Sequence, residues 1–333
     1  MSIETKEAGL FMLQQINRSL EKKMPLITPA SVILGVIFSA YIKDFSFLIP
    51  WLFAFMTFEG SLGMNFKAIK GAVTHPFPVF ITLAFLHIAM PLWAWAVGLI
   101  AFNGDALTIT GIVLGAAIPT GITSFIWVAM KKGHTALTLA IILIDSILSP
   151  FIVPFSLSLL VGTKVELDVS SMMISLLFMI VLPSIAGMLL NELTKGKTKD
   201  VWKPRLSPIS KVFLGMVVML NGAVVAPYLI EIQMKLLFII LIVFCIAFTG
   251  YGLAFLLAKW LKFDRETTIS LTFTGGMRNI SAGTVIAISF FPPAAIVPVV
   301  VGMLFQQSLA SLYASFLDRH YQKKAQTTSD RSA

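Results

Sequence analysis

The chain has 333 residues, of which 57% are hydrophobic and 12% charged, and the charged share is about half that of ordinary soluble domains, which excludes a water-soluble globular protein. A net charge of +9 would suit a nucleic-acid binder, but the charges lie scattered between apolar runs, so the partner they imply is a lipid bilayer and not nucleic acid. The lone cysteine, Cys245, excludes an internal disulfide framework or multi-cysteine metal site; its setting, "IVFCIAF", predicts a packed side chain.

The chain starts polar (1–24), with no cleavable signal. Leu10, Leu13, Ile16 and Leu20 recur at helical spacing and predict an amphipathic interfacial helix. Windows of roughly 20 apolar residues, the length a membrane crossing needs, then predict ten spans near 25–42, 45–66, 76–102, 108–130, 135–161, 171–191, 208–229, 234–259, 267–289 and 292–315. A second polar tail follows at 316–333. The third and fifth windows are long and contain Pro91 and Pro150, the expected kink points. The fold class is therefore an all-α integral membrane protein, one membrane domain over 1–333.

The basic residues fix an expected orientation. With the N-terminus inside, 21 of the 25 lysines and arginines fall in the tails or in alternate loops facing the cytoplasm. The opposite loops hold only Lys43, Lys164 and Lys235. That asymmetry predicts a multi-pass cell-membrane protein with both termini cytoplasmic. Ten spans form two sets of five with opposite orientation, an inverted repeat of the kind found in carriers. The fourth span contains "PTGITSF" and the ninth "FTGGMRN", a weak internal echo of helix-breaking residues at matching positions. Non-helical backbone at membrane depth persists only where protein or a cavity surrounds it. In the ninth span Arg278, about twelve residues beyond Glu266, stands beside the adjacent glycines Gly275 and Gly276; a mid-span charge next to weak helix points to a binding site for an anion.

With "GGMRN", "IPTGITS", "SILSPFIVP" and "GMNFK" in ten spans, the chain resembles the bile acid:sodium symporter family over essentially its whole length. The resemblance implies a core domain of helices at about 76–161 and 234–315 and a panel domain at about 25–66 and 171–229. It implies that discontinuous helices 4 and 9 cross, and that the substrates are organic anions, from bile acids to pantothenate-like and small carboxylic acids. The chain departs from the family at the positions that serve sodium. Where the family's crossover reads Glu-x-Gly-Met-Gln-Asn, the outer two changes here are Thr274 and Arg278, with Met277 and Asn279 retained. An asparagine position is Phe125 beside Ser124, a hydroxyl position is Ile142 while Thr138 survives, and a glutamine position is Leu86.

Losing an anion, an amide and a hydroxyl while gaining a cation disfavours sodium by several kcal/mol at an effective dielectric of about 20. Arg278 is therefore expected to replace the sodium charge, with coupling lost or passed to protons; no cofactor is expected, Na+ or H+ serving at most as coupling ion. The substrate carboxylate is expected at Arg278, Asn279, Thr274, Ser124, Thr123 and Thr138. If sodium is used, its residual positions are Ser124, Thr138, Thr274 and Met277. Asp145 follows Thr138 and Ile142 at i+7 and i+3, on the same stripe, and lies as deep as Arg278, roughly 15–18 Å at 1.5 Å per residue. A salt bridge between the two is expected, either permanent or opened by substrate or proton. Glu59 and His87 are further proton candidates, although His87 is more readily a packing residue. Gln306, Gln307 and Asn221 are expected to line the cavity.

The leading function is thus a secondary transporter of a small organic anion by alternating access, with a sodium-coupled symporter of bile acid-like or pantothenate-like anions as the alternative and a channel as a remote one. An enzyme is disfavoured because His75, His87, His134 and His320 fall in unrelated places. No glycine-rich phosphate loop suggests a pump. The oligomeric state is unspecified.

Overall fold

The computed structural model describes residues 3–64, 74–162, 165, 167–230 and 234–330. Lys67, Lys70 and Lys164, with the end of the "GMNFK" motif, lie outside the described residues. Thirteen helices account for nearly all of them, with no β-strand among the described residues. They are α1 Ile3–Ile37, α2 Ser39–Ser61, α3 Pro76–Ala101, α4 Ala106–Ala117, α5 Thr123–Met130 and α6 Thr135–Val161. There follow α7 Val169–Leu193, α8 Lys197–Val201, α9 Lys203–Ile230, α10 Met234–Trp260, α11 Arg265–Gly276, α12 Ile280–Phe290 and α13 Pro293–Asp330.

Seven of these (α2, α3, α6, α7, α9, α10 and α13) are long and apolar enough to cross a membrane. The first expected span is the end of α1, which runs unbroken from Ile3, so no separate interfacial helix precedes it. The fourth and ninth expected spans are each two short helices, α4–α5 and α11–α12. The expected C-terminal tail is a helix as far as Asp330. It packs down over the chain: Leu317 is buried, Asp318 pairs with Lys131 at 2.5 Å, and Tyr321 receives Lys259 over its ring at 4.6 Å.

Polar side chains start the helices at the positions where unpaired N–H groups need acceptors. Asp105, His134, Asp168, Asp264 and Asn279 each accept the N–H three residues on, from Thr108, Leu137, Ser171, Thr267 and Ala282. Such caps are each worth about 0.5–2 kcal/mol. At Asp105, partial burial raises the carboxyl, but hydrogen bonds from Lys235 and Thr108 outweigh it and hold the pKa below the ordinary value. The hydroxyl and N–H of Ser171 lower that of the exposed Asp168.

The prolines act in two different ways. Pro91 follows a π-helical turn at Phe85–Ala89, and Pro183 follows another at Leu177–Val181; the wider turn accommodates the proline ring and its missing N–H. Pro150 lies within the continuous α6 and does not break it. Its lost bond would strand the carbonyl of Ser146, but the Ser149 hydroxyl donates to that oxygen at 2.8 Å, the local repair by which a membrane helix keeps a proline.

α1 lies along α9, and α2 packs between α7 and α9; α10 lies along α11, and α13 against α4, α10 and α12. The α10 face with Leu237, Phe238, Leu241, Phe244 and Phe248 is exposed, a contiguous apolar surface suited to lipid. Cys245 is exposed on that helix and not packed as expected, because α10 is apolar all round and hydropathy alone does not separate its lipid side from its protein side.

Candidate functional site

The two helix breaks meet at the centre. The chain leaves α4 at Ile118, whose extended backbone is what a following proline imposes, and leaves α11 at Met277, also extended. Each break is tied to the other by backbone hydrogen bonds. The Asn279 N–H donates to the Pro119 carbonyl at 2.7 Å, and the Thr120 hydroxyl shares its proton between the carbonyls of Thr274 at 2.9 Å and Met277 at 3.0 Å. These donors serve carbonyls that the interrupted helices leave unpaired.

Two glycines permit the approach. A Cβ on Gly121 would stand 3.0 Å from the Arg278 carbonyl, and one on Gly276 would overlap the ring of the fully buried Tyr251. Gly276 thus serves close packing as well as preceding the break.

Asp145 braces this crossing. It is fully buried, and its two oxygens receive His87 Nε2 at 2.5 Å and the Thr120 N–H at 2.5 Å. One carboxylate therefore joins α3, α6 and the first break. The salt bridge expected between Asp145 and Arg278 does not form: no ion pair joins them, although the carboxylate acts on the guanidinium through space. The physical reason is that both oxygens are occupied by closer donors. His87 is thus a buried, hydrogen-bonded residue, and its Nδ1 is buried without a hydrogen-bond partner.

Arg278 is 6% exposed, and both of its terminal nitrogens lack a hydrogen-bond partner. It lines a cavity of about 210 Å³ between the crossing and helices α1, α2, α7, α9 and α13. Glu59, also 6% exposed, lines the same cavity, with its Oε1 unpartnered. The starts of α5 and α12, at Ile122, Thr123, Asn279, Ile280 and Ser281, form part of the wall; the positive ends of two half-helices therefore share a space with the guanidinium. A second cavity of about 70 Å³ lies among α3, α4, α10, α11 and α13, and shares Arg278, Ile280 and Gln306 with the first. Arg278 thus stands in the partition between two cavities.

Of the residues expected to bind substrate, Arg278, Asn279 and Thr123 line the larger cavity, and Glu59 joins them. Thr138 and Thr274 are fully buried behind it, their hydroxyls donating to the carbonyls of His134 and Ser270 in their own helices. Ser124 is also behind the wall, with its hydroxyl buried and unpartnered. Asp145, His87 and Met277 do not line the cavity. Gln306 and Gln307 do, Gln307 accepting from the Trp127 indole at 3.1 Å. Asn221 does not: its amide donates to the Thr284 hydroxyl at 2.8 Å and ties α9 to α12.

The turn that holds Lys131, Lys132 and His134 is packed in part, since His134 caps α6 and its ring meets that of His75 at 4.7 Å. Thr120 was the functional residue the sequence reading passed over; a hydroxyl beside the helix-breaking Pro119 was the available signal. The positions left by the family's sodium ligands do not make an oxygen cage. Leu86 packs with Leu137, Ile141 and Leu271, and Ile142 packs with Phe125 and Leu143. The hydroxyls of the surviving Thr138 and of Thr274, which stands in place of the glutamate, already donate to backbone carbonyls, and Arg278 is a cation.

Comparison with known proteins bears on this arrangement. A family model described as the Sodium Bile acid symporter family matches residues 50–232, ending before α10 and so before the second break. The chain is similar to the uncharacterized protein YbaS of Bacillus subtilis (strain 168), 51% identical over 89% of this chain and 97% of that protein. It is also similar to the uncharacterized sodium-dependent transporter YocS of the same organism, at 27% identity over 87% of this chain and 91% of that protein. The probable sodium/metabolite cotransporter BASS1 of Arabidopsis thaliana is 24% identical over 77% of this chain and 63% of its own length.

Proposed function

The chain belongs to the sodium bile acid symporter family and is a multi-pass membrane transporter, not an enzyme, and we propose that it carries a small organic carboxylate by alternating access, without sodium. The observation that supports this reading is the buried guanidinium of Arg278, which lacks a hydrogen-bond partner and lines a cavity. A charge held at membrane depth without a partner costs at least a few kcal/mol. A carboxylate arriving in the cavity supplies the bidentate acceptor that a guanidinium fits, and the starts of α5 and α12 add favourable dipoles. At about 210 Å³ the cavity is smaller than the roughly 300–1,000 Å³ that takes drug-sized ligands, so a small metabolite suits it better than a bile acid.

In this reading ten crossings form two inverted sets of five, counting α4–α5 and α11–α12 as one each and the end of α1 as the first. Helices α3–α6 and α10–α13 are the moving core, and α1, α2, α7 and α9 the panel. Sliding of the core along the panel closes the larger cavity and opens the smaller one, carrying Arg278 between them. In the same reading both termini are cytoplasmic in a cell membrane, and the larger cavity, lined by Gly60, Ser61 and Ser210, faces the inner side. Any coupling is to protons, at Glu59 or at the His87–Asp145 pair. Sodium coupling is the second reading, favoured by the unpartnered hydroxyl of Ser124 and by the similarity to YocS, which is named a sodium-dependent transporter.

Uptake of radiolabelled short carboxylates into proteoliposomes tests the proposal. Replacing external sodium with potassium should leave uptake unchanged, and Arg278→Gln should abolish carboxylate binding to the purified protein. Uptake that disappears with sodium would establish the second reading. Undiminished affinity in the glutamine variant would remove Arg278 from the site.

A further inference from the structure

We propose that the ligand is a zwitterion, with its carboxylate on Arg278 and a cationic amino group on Glu59. This rests on the reading of Arg278 as the anion subsite and narrows the substrate class. Glu59 and Arg278 are the only charged residues among the described residues lining the larger cavity. They carry opposite charge, each is only 6% exposed, and each presents unpartnered polar atoms: Oε1 of Glu59 and both terminal nitrogens of Arg278. Yet no ion pair or hydrogen bond joins them. A buried charge is ordinarily paired, so two complementary charges kept apart across one cavity leave a gap that a third molecule fills.

The gap selects among ligands. A simple carboxylate satisfies Arg278 but brings a second anion into the space that Glu59 faces, and like charges sharing a site repel. A simple amine satisfies Glu59 and opposes Arg278. A molecule with both charges satisfies both at once. The same wall carries the apolar side chains of Phe53, Met56, Leu143 and Met303, which suits a short hydrocarbon spacer. Other charges near the site are engaged elsewhere. Asp145 is held by His87 and Thr120, and the Lys203 ammonium donates to the Gly60 carbonyl at 3.3 Å. Glu59 belongs to α2 and Arg278 to the crossing, so in the core-and-panel reading the zwitterion bridges the two bodies that move.

Two homologous series test this on the purified full-length protein: ω-amino acids from glycine to 6-aminohexanoate, and unsubstituted carboxylates of matching length. Affinity is read by calorimetry and by shift of the thermal transition. At one or two chain lengths the amino acid should bind about tenfold or more tightly than its carboxylate, a factor typical of one added charge-assisted hydrogen bond. Glu59→Gln should erase that ratio while carboxylate binding persists, and Glu59→Asp should move the preferred ligand one methylene longer. If carboxylates bind and an amino group brings no gain at any length, or if the gain survives Glu59→Gln, the zwitterion proposal is overturned and the anion reading stands. If neither series binds, the anion reading falls with it. The ratio in the unaltered protein needs no variant, so misfolding of a variant does not mask the result.

Discussion

A double-mutant cycle on His87 and Asp145 measures how firmly the crossing is braced. Asp145 is fully buried and receives two donors at 2.5 Å, one from His87 Nε2 and one from the Thr120 N–H. Hydrogen bonds to a charged group are each worth about 1.5–3 kcal/mol, so Asp145→Ala should cost about 3–6 kcal/mol. His87→Ala leaves the buried carboxylate with one donor in place of two, and losing one hydrogen bond to a charged group costs about 1.5–3 kcal/mol. If the two residues act as a unit, the double variant should cost little more than Asp145→Ala alone. The coupling should then be close to the whole His87→Ala cost, about 1.5–3 kcal/mol, near the top of the range for residues in contact. Reversible unfolding in mixed micelles, titrated with a denaturing detergent and followed by tryptophan fluorescence, gives each free energy. Single effects that add to within about 0.5 kcal/mol would refute the brace, because contacting residues in one network do not behave independently.

Two further changes probe the crossing itself. Thr120→Val keeps the shape but removes the hydroxyl that donates to the Thr274 and Met277 carbonyls; an orphaned buried acceptor costs about 1–3 kcal/mol, and Thr120→Ser should restore most of that stability in the same titration. Equal stability of the valine variant would show that those carbonyls find other donors. Gly276→Ala places a methyl group into the ring of Tyr251, which is fully buried and cannot retreat. Overpacking of this kind costs about 1–3 kcal/mol, readable as a lowered thermal transition, and an unchanged transition would mean that α10 and α11 separate freely.

Much of the architecture was legible because a bilayer imposes long apolar helices, and the long continuous helices coincide with apolar windows. Both breaks were legible for the same reason: Pro119 and Gly121 in one, Gly275 and Gly276 in the other, are residues a helix at membrane depth tolerates only for cause. The partner of Asp145 was not. Periodicity placed it on the stripe of Thr138 and Ile142, and residue counting placed it level with Arg278. Those two coordinates leave the third, the angle between helices, undetermined. His87 fills that third coordinate from a π-helical turn, where 3.6-residue counting loses phase, so sequence spacing did not direct it toward α6. The same limit hid Asn221, whose depth suited the cavity but whose amide faces Thr284.

The division of labour between the buried charges follows from hydrogen-bond capacity. A carboxylate that already accepts from His87 and a backbone N–H at 2.5 Å has spent its best-placed lone pairs. It cannot also seat a guanidinium without releasing the crossing. Were Asp145 to turn to Arg278, the Thr120 N–H and His87 Nε2 would lose their acceptor inside the protein, at a cost comparable to the pair gained. Arg278 therefore stays unpaired at the partition of two cavities because the nearby carboxylate is committed to backbone. An arginine neutralised within the protein would need to be freed before each anion bound. In the proposed function, one held in reserve this way would meet the ligand with its donors available, and the unfavourable burial it carries in the empty protein would be relieved on binding, which would add to affinity.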